Sequence, residues 1–394
     1  MNILVLNCGS SSIKFAFYEG DEQTLSGVIE KIGGQDAIVR YRMRAAPAEC
    51  KSVEPVENHS HGLEILLKDI FPRLGDKRID AVGHRIVHGG ERFYAPVFAT
   101  DEVMRELKSI SHLAPLHNPH HIKGVEAAQM NLHGVPNVLV FDTAFYRTIP
   151  PEAAIYPLPY RFYVRHKIRR YGFHGTSHHW LLLRTAEIMG RRPEDTKLIT
   201  CHLGNGCSIT AIRNGVAVDT SMGFTPAAGL MMGTRAGDID PSIITHIHEV
   251  EPEHASPKDI DDLLNKQSGL LGISGIASDM RTIIQAKAMD PRAELAFKMF
   301  CLRVKRFIGA YLAVLNGADA VVFSAGIGEN SVPVREEVLR DLGNLGIRLD
   351  AAANETVVGR DGIISTVDSP IKAYVVCTNE ELMIARLAAQ LLTG

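Results

Sequence analysis

One short pattern occurs twice in this chain, and its repetition constrains the fold more than any other feature. Residues 2–20 read NILVLNCGSSSIKFAFYEG and residues 198–215 read LITCHLGNGCSITAIRNG. With Gly204 placed on Gly9, each copy is an apolar strand, a Gly-containing turn, a second strand and an x-Gly turn. The closing turns are Glu19-Gly20 and Asn214-Gly215, and Asn-Gly between alternating residues favours a tight hairpin. Two such units at corresponding places in two halves predict a duplicated domain.

The turn chemistry suits an anion. Backbone N–H groups from Gly9 to Ser12, the hydroxyls of Ser10, Ser11 and Ser12, and the Lys14 ammonium can converge on a phosphate. A tight polar turn between two core strands would use the same residue types. It is the recurrence that favours the cradle.

At 394 residues the chain is long enough for two or three domains. A net charge of −3 argues against nucleic-acid binding, which calls for a basic excess. The five Lys or Arg between Arg161 and Arg170 read as a solvated face, with attraction of an anionic nucleotide as the alternative. Six scattered cysteines with no C-x-x-C pair and no secretory leader predict reduced thiols in the cytoplasm. No run approaches the roughly 20 apolar residues of a membrane span. The histidines lack metal-ligand spacing, so the expectation is no histidine metal site.

Strands are expected at 3–7 and 13–18, followed by an irregular stretch to about residue 60 and a helix in HGLEILLKDIF. IDAVGHRIVHGG reads as a strand delivering Arg85 and His88 to a Gly-Gly turn, and VPNVLVFDTAF as a buried strand ending at Asp142. Carboxyl ends of strands are where α/β proteins carry their chemistry. The Pro-rich segment IPPEAAIYPLPY should mark the domain boundary. The long turn-rich run from Asp219 to Pro241 reads as a functional loop. Helices follow near 258–266 and 291–317. A last strand and a terminal helix close the chain, with Thr378 and Glu381 spaced as a capping box.

No G-x-x-x-x-G-K-[ST], HRD or DFG is present, and the pairs Gly204/Gly206 and Gly326/Gly328 each lack the third glycine of a dinucleotide fingerprint. Two hairpin cradles, a strand-end Asp and a late Gly-rich loop are the layout of the actin-like ATPase superfamily. Seven motifs sharpen this: NCGSSSIK at 7–14, GHRIVHGG at 83–90, DTAF at 142–145, YGFHGTSH at 171–178, HLGNG at 202–206, MMGTRAGDIDP at 231–241 and AGIGEN at 325–330. Together, in order and across essentially the whole chain, they resemble the acetate kinase family.

The resemblance implies an α/β chain with duplicated ribonuclease-H-like domains flanking an active-site cleft. Residues 1–148 with 381–394 would form one domain and 149–380 the nucleotide-binding domain. It implies a homodimer that binds neither nucleic acid nor membrane. The implied reaction is reversible, MgATP-dependent phosphorylation of acetate to acetyl phosphate, with propionate as the alternative acceptor and a sugar kinase as a remoter one. Mg²⁺ is the implied metal, with Mn²⁺ as substitute, and ATP/ADP the co-substrate. An actin- or chaperone-like ATP-gated binding protein would need a further domain, for which no residues are left over.

Residue by residue, the resemblance makes Arg85, Arg235, His174 and Asp142 catalytic. The two arginines and His174 would stabilise the moving phosphoryl group, and Asp142 would orient substrate. Taken without the resemblance, the arginines could be surface ion pairs and the histidine structural. Arg85, Val87, Leu116 and Pro226 would bind the acyl group. Asn7, Ser10, Ser12 and Lys14 would face phosphate, and Asn7 and Glu380 the metal. An acid in a helix's first turn has a second explanation in the helix dipole. The nucleotide would meet Lys14, His202, Leu203, Gly204, Asn205 and Gly206, with Asp279, Met280, Arg281, Gly326, Ile327, Gly328, Glu329 and Asn330. Tyr146 stands where the family more often has His, and Cys207 where it has Ala, which raises the questions of altered cleft polarity and redox sensitivity.

Overall fold

The computed structural model of the chain describes every residue except Leu116 and Ala255, and every described side chain except those of Pro47, Ala48 and His254. The chain divides into two units, Met1–Phe145 with Asn379–Gly394, and Tyr146–Thr378. The divisions fall at 145/146 and 378/379, where the sequence suggested 148/149 and 380/381.

The first unit is built on an eight-stranded sheet: β1 (Asn2–Cys8), β2 (Ser12–Glu19), β3 (Glu22–Glu30), β4 (Ala37–Met43), β5 (Ala46–Glu54), β6 (Ala81–Ile86), β7 (Val97–Phe98) and β8 (Asn137–Phe141). Its order is β5-β4-β3-β2-β1-β6-β8-β7. β1 to β5 form an antiparallel meander, while β6 and β8 run parallel to β1. The second unit carries β9 (Lys197–Leu203), β10 (Cys207–Arg213), β11 (Val216–Thr220), β12 (Ala320–Ser324), β13 (Gly362–Ile363) and β14 (Lys372–Val375), in the order β11-β10-β9-β12-β14-β13. A shared core stands in both: β3-β2-β1-β6-β8 and β11-β10-β9-β12-β14, each three antiparallel strands followed by two parallel ones. This is the duplicated ribonuclease-H-like architecture. The parallel strands NVLVF and AVVFS are buried at every position, as strands covered on both faces must be.

The irregular stretch expected up to residue 60 is instead β3 to β5. In AIVRYRM buried positions alternate with half-buried or exposed ones, and the arginines of the outer set hide the inner one in a composition-level reading. The terminal helix, Glu380–Thr393, is capped by Asn379, whose side chain accepts from Leu382 N at 3.0 Å; the expected Thr378/Glu381 box does not form. Gly83 allows this helix to press on β6, since a Cβ there would lie 2.8 Å from Ile384. That contact brings the helix N-terminus over the carboxyl end of β6.

The two hairpins differ by one residue in register. Asn7 faces Lys14 in the first, while His202, the counterpart of Asn7, faces Ser208 in the second. Directly opposed residues share a face of the sheet. Ser208 therefore occupies the place of Lys14, although the ungapped match sets it beside Ile13.

Candidate active site

In the first unit, Arg85 pairs with Val140 across the parallel strands β6 and β8, and Asp142 lies two residues beyond Val140. The period of two puts both side chains on one face. Arg85 Nε lies 3.2 Å from each Asp142 oxygen, and Nη2 donates to Oδ2 at 2.6 Å. Glu380, at the N-terminus of the terminal helix, sets Oε2 3.8 Å from Arg85 Nε. Burial disfavours the guanidinium charge, but Asp142, Glu380 and Glu381 outweigh it and hold Arg85 above its ordinary pKa. It is a permanent cation.

The loop after β6 is fixed by side chains. Val87 N donates to His121 Nδ1 at 3.2 Å and Gly89 N to Thr143 Oγ1 at 3.0 Å. Asn118 accepts from His88 N at 3.2 Å and donates to His88 O at 2.9 Å. Of the expected acyl pocket, Val87 is buried here, Leu116 lies outside the described residues, and Pro226 belongs to the second unit.

Both Asp142 oxygens accept from Arg85, so Asp142 orients that arginine. Burial raises the Glu380 carboxyl, partly offset by Arg85, with Asp142 raising it further and Lys14 lowering it. A buried carboxylate of this kind calls for a cation. Among the described residues the half-buried Asn7 amide finds no side-chain hydrogen-bond partner. No cluster of three or more His, Cys, Asp or Glu able to hold a metal occurs among the described residues. One carboxylate and one amide oxygen fit Mg²⁺, which keeps water and phosphate oxygens as its other ligands.

In the second unit, alternation places Thr200 and His202 of β9 opposite Thr210 and Ser208 of β10 on one face. Helix Gly175–Ile188 lays Ser177 and His178 over that face. His178 bridges Thr200 Oγ1 at 2.6 Å and Ser208 Oγ at 2.7 Å, and Ser208 Oγ also meets His174 Nδ1 at 2.9 Å. Ser177 Oγ lies 2.8 Å from His202 Nδ1. The His174 ring stacks on His202 with centroids 4.2 Å apart, and His174 itself sits at φ 58° as the helix begins.

Tyr146 is fully buried below this loop and donates its hydroxyl to Phe173 O at 2.6 Å. It tethers the loop backbone next to His174, which answers the question its presence raised.

Gly206 marks where the expected catalytic groups of this unit converge. A Cβ there would lie 3.4 Å from His174 Nε2 and 3.6 Å from Arg235 Nη1. Arg235 Nη1 donates to Pro226 O at 3.3 Å, and no carboxylate pairs with it among the described residues. Burial lowers its pKa, and the nearby Cys207 partly opposes this. A half-buried guanidinium without a counter-anion among the described residues is suited to an anion. Cys207 is fully buried, donates to Gly204 O at 3.1 Å, and burial pushes its thiol up to about 12. This favours an inert thiol over a redox-sensitive one.

A cavity of about 600 Å³ opens elsewhere in the second unit. Asp279, Met280, Arg281, Gly326, Ile327 and Asn330 line it. Ile284 and Gln285, one turn along the helix from Met280 and Arg281, join them, as do Ser331 and Pro333; helical spacing was the signal for the first two. Gly328 and Glu329 are not among its walls. Glu329 Oε1 instead accepts from Ala325 N at 2.7 Å, Thr378 N at 2.9 Å and Ser324 Oγ at 3.3 Å, clipping its own loop. The expected loop at 325–330 is a short helix, and the fully buried Arg335 closes its end by donating to Gly328 O and Glu329 O, both at 2.9 Å.

Two ribonuclease-H-like units, each with its own hairpin, and a cavity of about 600 Å³ in the second give the chain the fold of the actin-like ATPase superfamily. The chain belongs to the acetokinase family, whose model matches residues 2–386. It is 50% identical to the acetate kinase of Dictyoglomus thermophilum over 98% of each chain, and 48% identical to that of Thermoanaerobacter pseudethanolicus over 100% of each. Among solved structures it resembles the acetate kinase of Porphyromonas gingivalis, with a TM-score of 0.93, 42% identity and 99% of each chain covered. A propionate kinase from Francisella tularensis is similar too, with a TM-score of 0.91, 40% identity and 98% of each chain covered. The chain is accordingly a kinase with a carboxyl group as acceptor.

Proposed function

We propose that the chain phosphorylates acetate reversibly from MgATP by direct in-line transfer, giving acetyl phosphate and ADP. The observation that carries this reading is the pair of arginines: Arg85 locked as a cation by Asp142, and Arg235 left without a carboxylate partner among the described residues. A carboxylate acceptor is already ionised at neutral pH and needs no general base. What it needs is compensation for two anions meeting, and phosphoryl transfer is chiefly positioning and electrostatics. Arg85 would bind the carboxylate, Arg235 would stabilise the transferring group, and His174 would donate to it.

A sugar kinase would require a strand-end Asp free to accept a proton. Asp142 already accepts Arg85 hydrogens at both oxygens.

Glu380 and Asn7 are the residues that would hold Mg²⁺, whose charge offsets that of the phosphates. Asn7, Ser10, Ser12 and Lys14 would face the phosphates from the first hairpin, and His202 to Gly206 from the second. The adenosine would occupy the cavity between Asp279–Arg281 and Gly326–Asn330, which falls in the usual volume range for a small-molecule site. A homodimer is supported by helix Ser242–Val250, which buries no residue within the chain and leaves Ile243 and Val250 exposed. The six free thiols suit a cytoplasmic setting.

Propionate is the second reading, favoured by the likeness to a propionate kinase. One methylene is worth only about 1–3 kcal/mol of discrimination, and the branched Val87 favours the smaller acid. ATP-dependent hydroxamate formation with acetate, propionate, butyrate and a hexose panel tests the proposal. We expect acetate to give the highest kcat/KM. Phosphorylation of a hexose with no hydroxamate from any carboxylate would overturn it.

A further inference from the structure

We propose that Ser208 and His178 fix the hydrogen of the neutral His174 imidazole on Nε2, so that the ring meets the phosphoryl group as an Nε2–H donor. This rests on the reading of His174 as a phosphoryl-facing residue.

Three short links form one chain: Thr200 Oγ1 to His178 Nδ1 at 2.6 Å, His178 Nε2 to Ser208 Oγ at 2.7 Å, and Ser208 Oγ to His174 Nδ1 at 2.9 Å. Thr200, His178 and Ser208 are all fully buried. Burial, with a smaller contribution from His202, keeps His178 well below the ordinary histidine pKa, so it carries one ring hydrogen. Each hydroxyl also carries one. Were Ser208 to accept at both of its links, its own buried hydrogen would have no acceptor among the described residues, so the hydrogens all point the same way along the chain.

Two directions are available. Running away from His174, the last hydrogen belongs to Thr200 and, among the described residues, has only Thr210 O to receive it, at 3.5 Å. That is the outer limit of a hydrogen bond. Running toward His174, every hydrogen falls in a link of 2.9 Å or less. Thr200 then donates to His178 Nδ1, His178 Nε2–H to Ser208, and the Ser208 hydroxyl to His174 Nδ1. The Nδ1 lone pair of His174 is thereby engaged, and its hydrogen is assigned to Nε2.

The surroundings favour the same state. The His202 ring stacks on His174 at 4.2 Å, and the Arg235 guanidinium shares the Gly206 face with His174 Nε2. Nε2 is also the nitrogen on the side of Gly206, where Arg235 converges. The opposite tautomer would present a lone pair to an anionic oxygen, replacing attraction by repulsion. Ser208 and His178 are positioning residues in this scheme, acting through His174.

Two-bond proton–nitrogen correlation spectra of the full chain, labelled with ¹⁵N-histidine, test the proposal. The His174 signals are identified by their loss in His174→Gln. We expect the neutral Nε2–H pattern at pH 7.5. Ser208→Ala should lower kcat at least about tenfold with KM for ATP and acetate within about twofold, because only the donor's orientation is disturbed. His178→Gln, whose amide N–H can still donate to Ser208, should retain the wild-type His174 pattern. An Nδ1–H tautomer or an imidazolium for His174 in the wild-type chain would overturn the assignment, as would wild-type kcat in Ser208→Ala. Near-wild-type turnover in His174→Gln would overturn the underlying reading of His174 instead, whatever tautomer the spectrum shows.

Discussion

Truncating either Arg85 or Arg235 to alanine should lower kcat by at least about a hundredfold, since an arginine at a phosphoryl transition state is worth ~10³–10⁵ in rate. The fold should survive by circular dichroism, and near-normal turnover in either variant would remove that arginine from the transition state. Gly206→Ala is the finer test at this scale. Its new methyl would sit at ordinary contact distance from His174 Nε2 and Arg235 Nη1, so the melting temperature should move by only a few degrees. It would nevertheless take up space between the two groups proposed to meet the phosphoryl group, and we expect kcat to fall about ten- to a hundredfold. Arg85, Asp142, His174 and Arg235 were legible because each stands at a strand end or in a Gly-containing loop within a specific motif. Ser208 was not, because the ungapped alignment of the hairpins set it beside Ile13, and only pairing shows it opposite His202.

At the level of elements, the short helix Ala325–Asn330 carries the most specific expectation. A Cβ on Gly326 meets nothing within 4 Å, and the residue faces the cavity proposed for adenosine. Gly326→Leu should therefore fold normally, as leucine is the better helix former, and raise the KM for ATP at least about tenfold. An unchanged KM would move the nucleotide elsewhere. The same element shows why a motif is not a list of ligands. Glu329 belongs to AGIGEN as firmly as Asn330 does, yet its carboxylate is directed at the backbone N–H groups of Ala325 in its own loop and of Thr378. Arg335 outside the motif holds the helix end through buried carbonyls, which no periodicity announces. The strands β3 to β5 were also missed, since their outward residues are charged and their turn signals blur into a polar average.

For the molecule as a whole, acid should be more destructive than its modest net charge suggests. Burial lowers His84, His88 and His179 to about 4, and holds His121 and His178 well below the ordinary value of 6.5. A folded-state pKa below the unfolded one gives stability that is present above the unfolded pKa and lost as pH falls through the folded one. Each such group can change the folding free energy by about 1.4 kcal/mol per pH unit in that window. Thermal melts should thus be nearly flat above pH 6.5 and drop steeply between pH 6.5 and 4; a flat profile down to pH 5 would refute neutral burial of these rings. The sequence by itself determined the class of fold, the repeated hairpin and the arginine, histidine and aspartate motifs, because strand periodicity and glycine turns are local properties. Only the tertiary structure decided what those hairpins hold. The one-residue difference in register, the polar layer behind His174 and the placing of Asp142 and Glu380 beside Arg85 all depend on which strands pair and which helix covers them. The second hairpin repeats the first as a backbone, and where the first sets Asn7 opposite Lys14, the second sets His202 opposite Ser208, the one stacked on His174 and the other hydrogen-bonded to it.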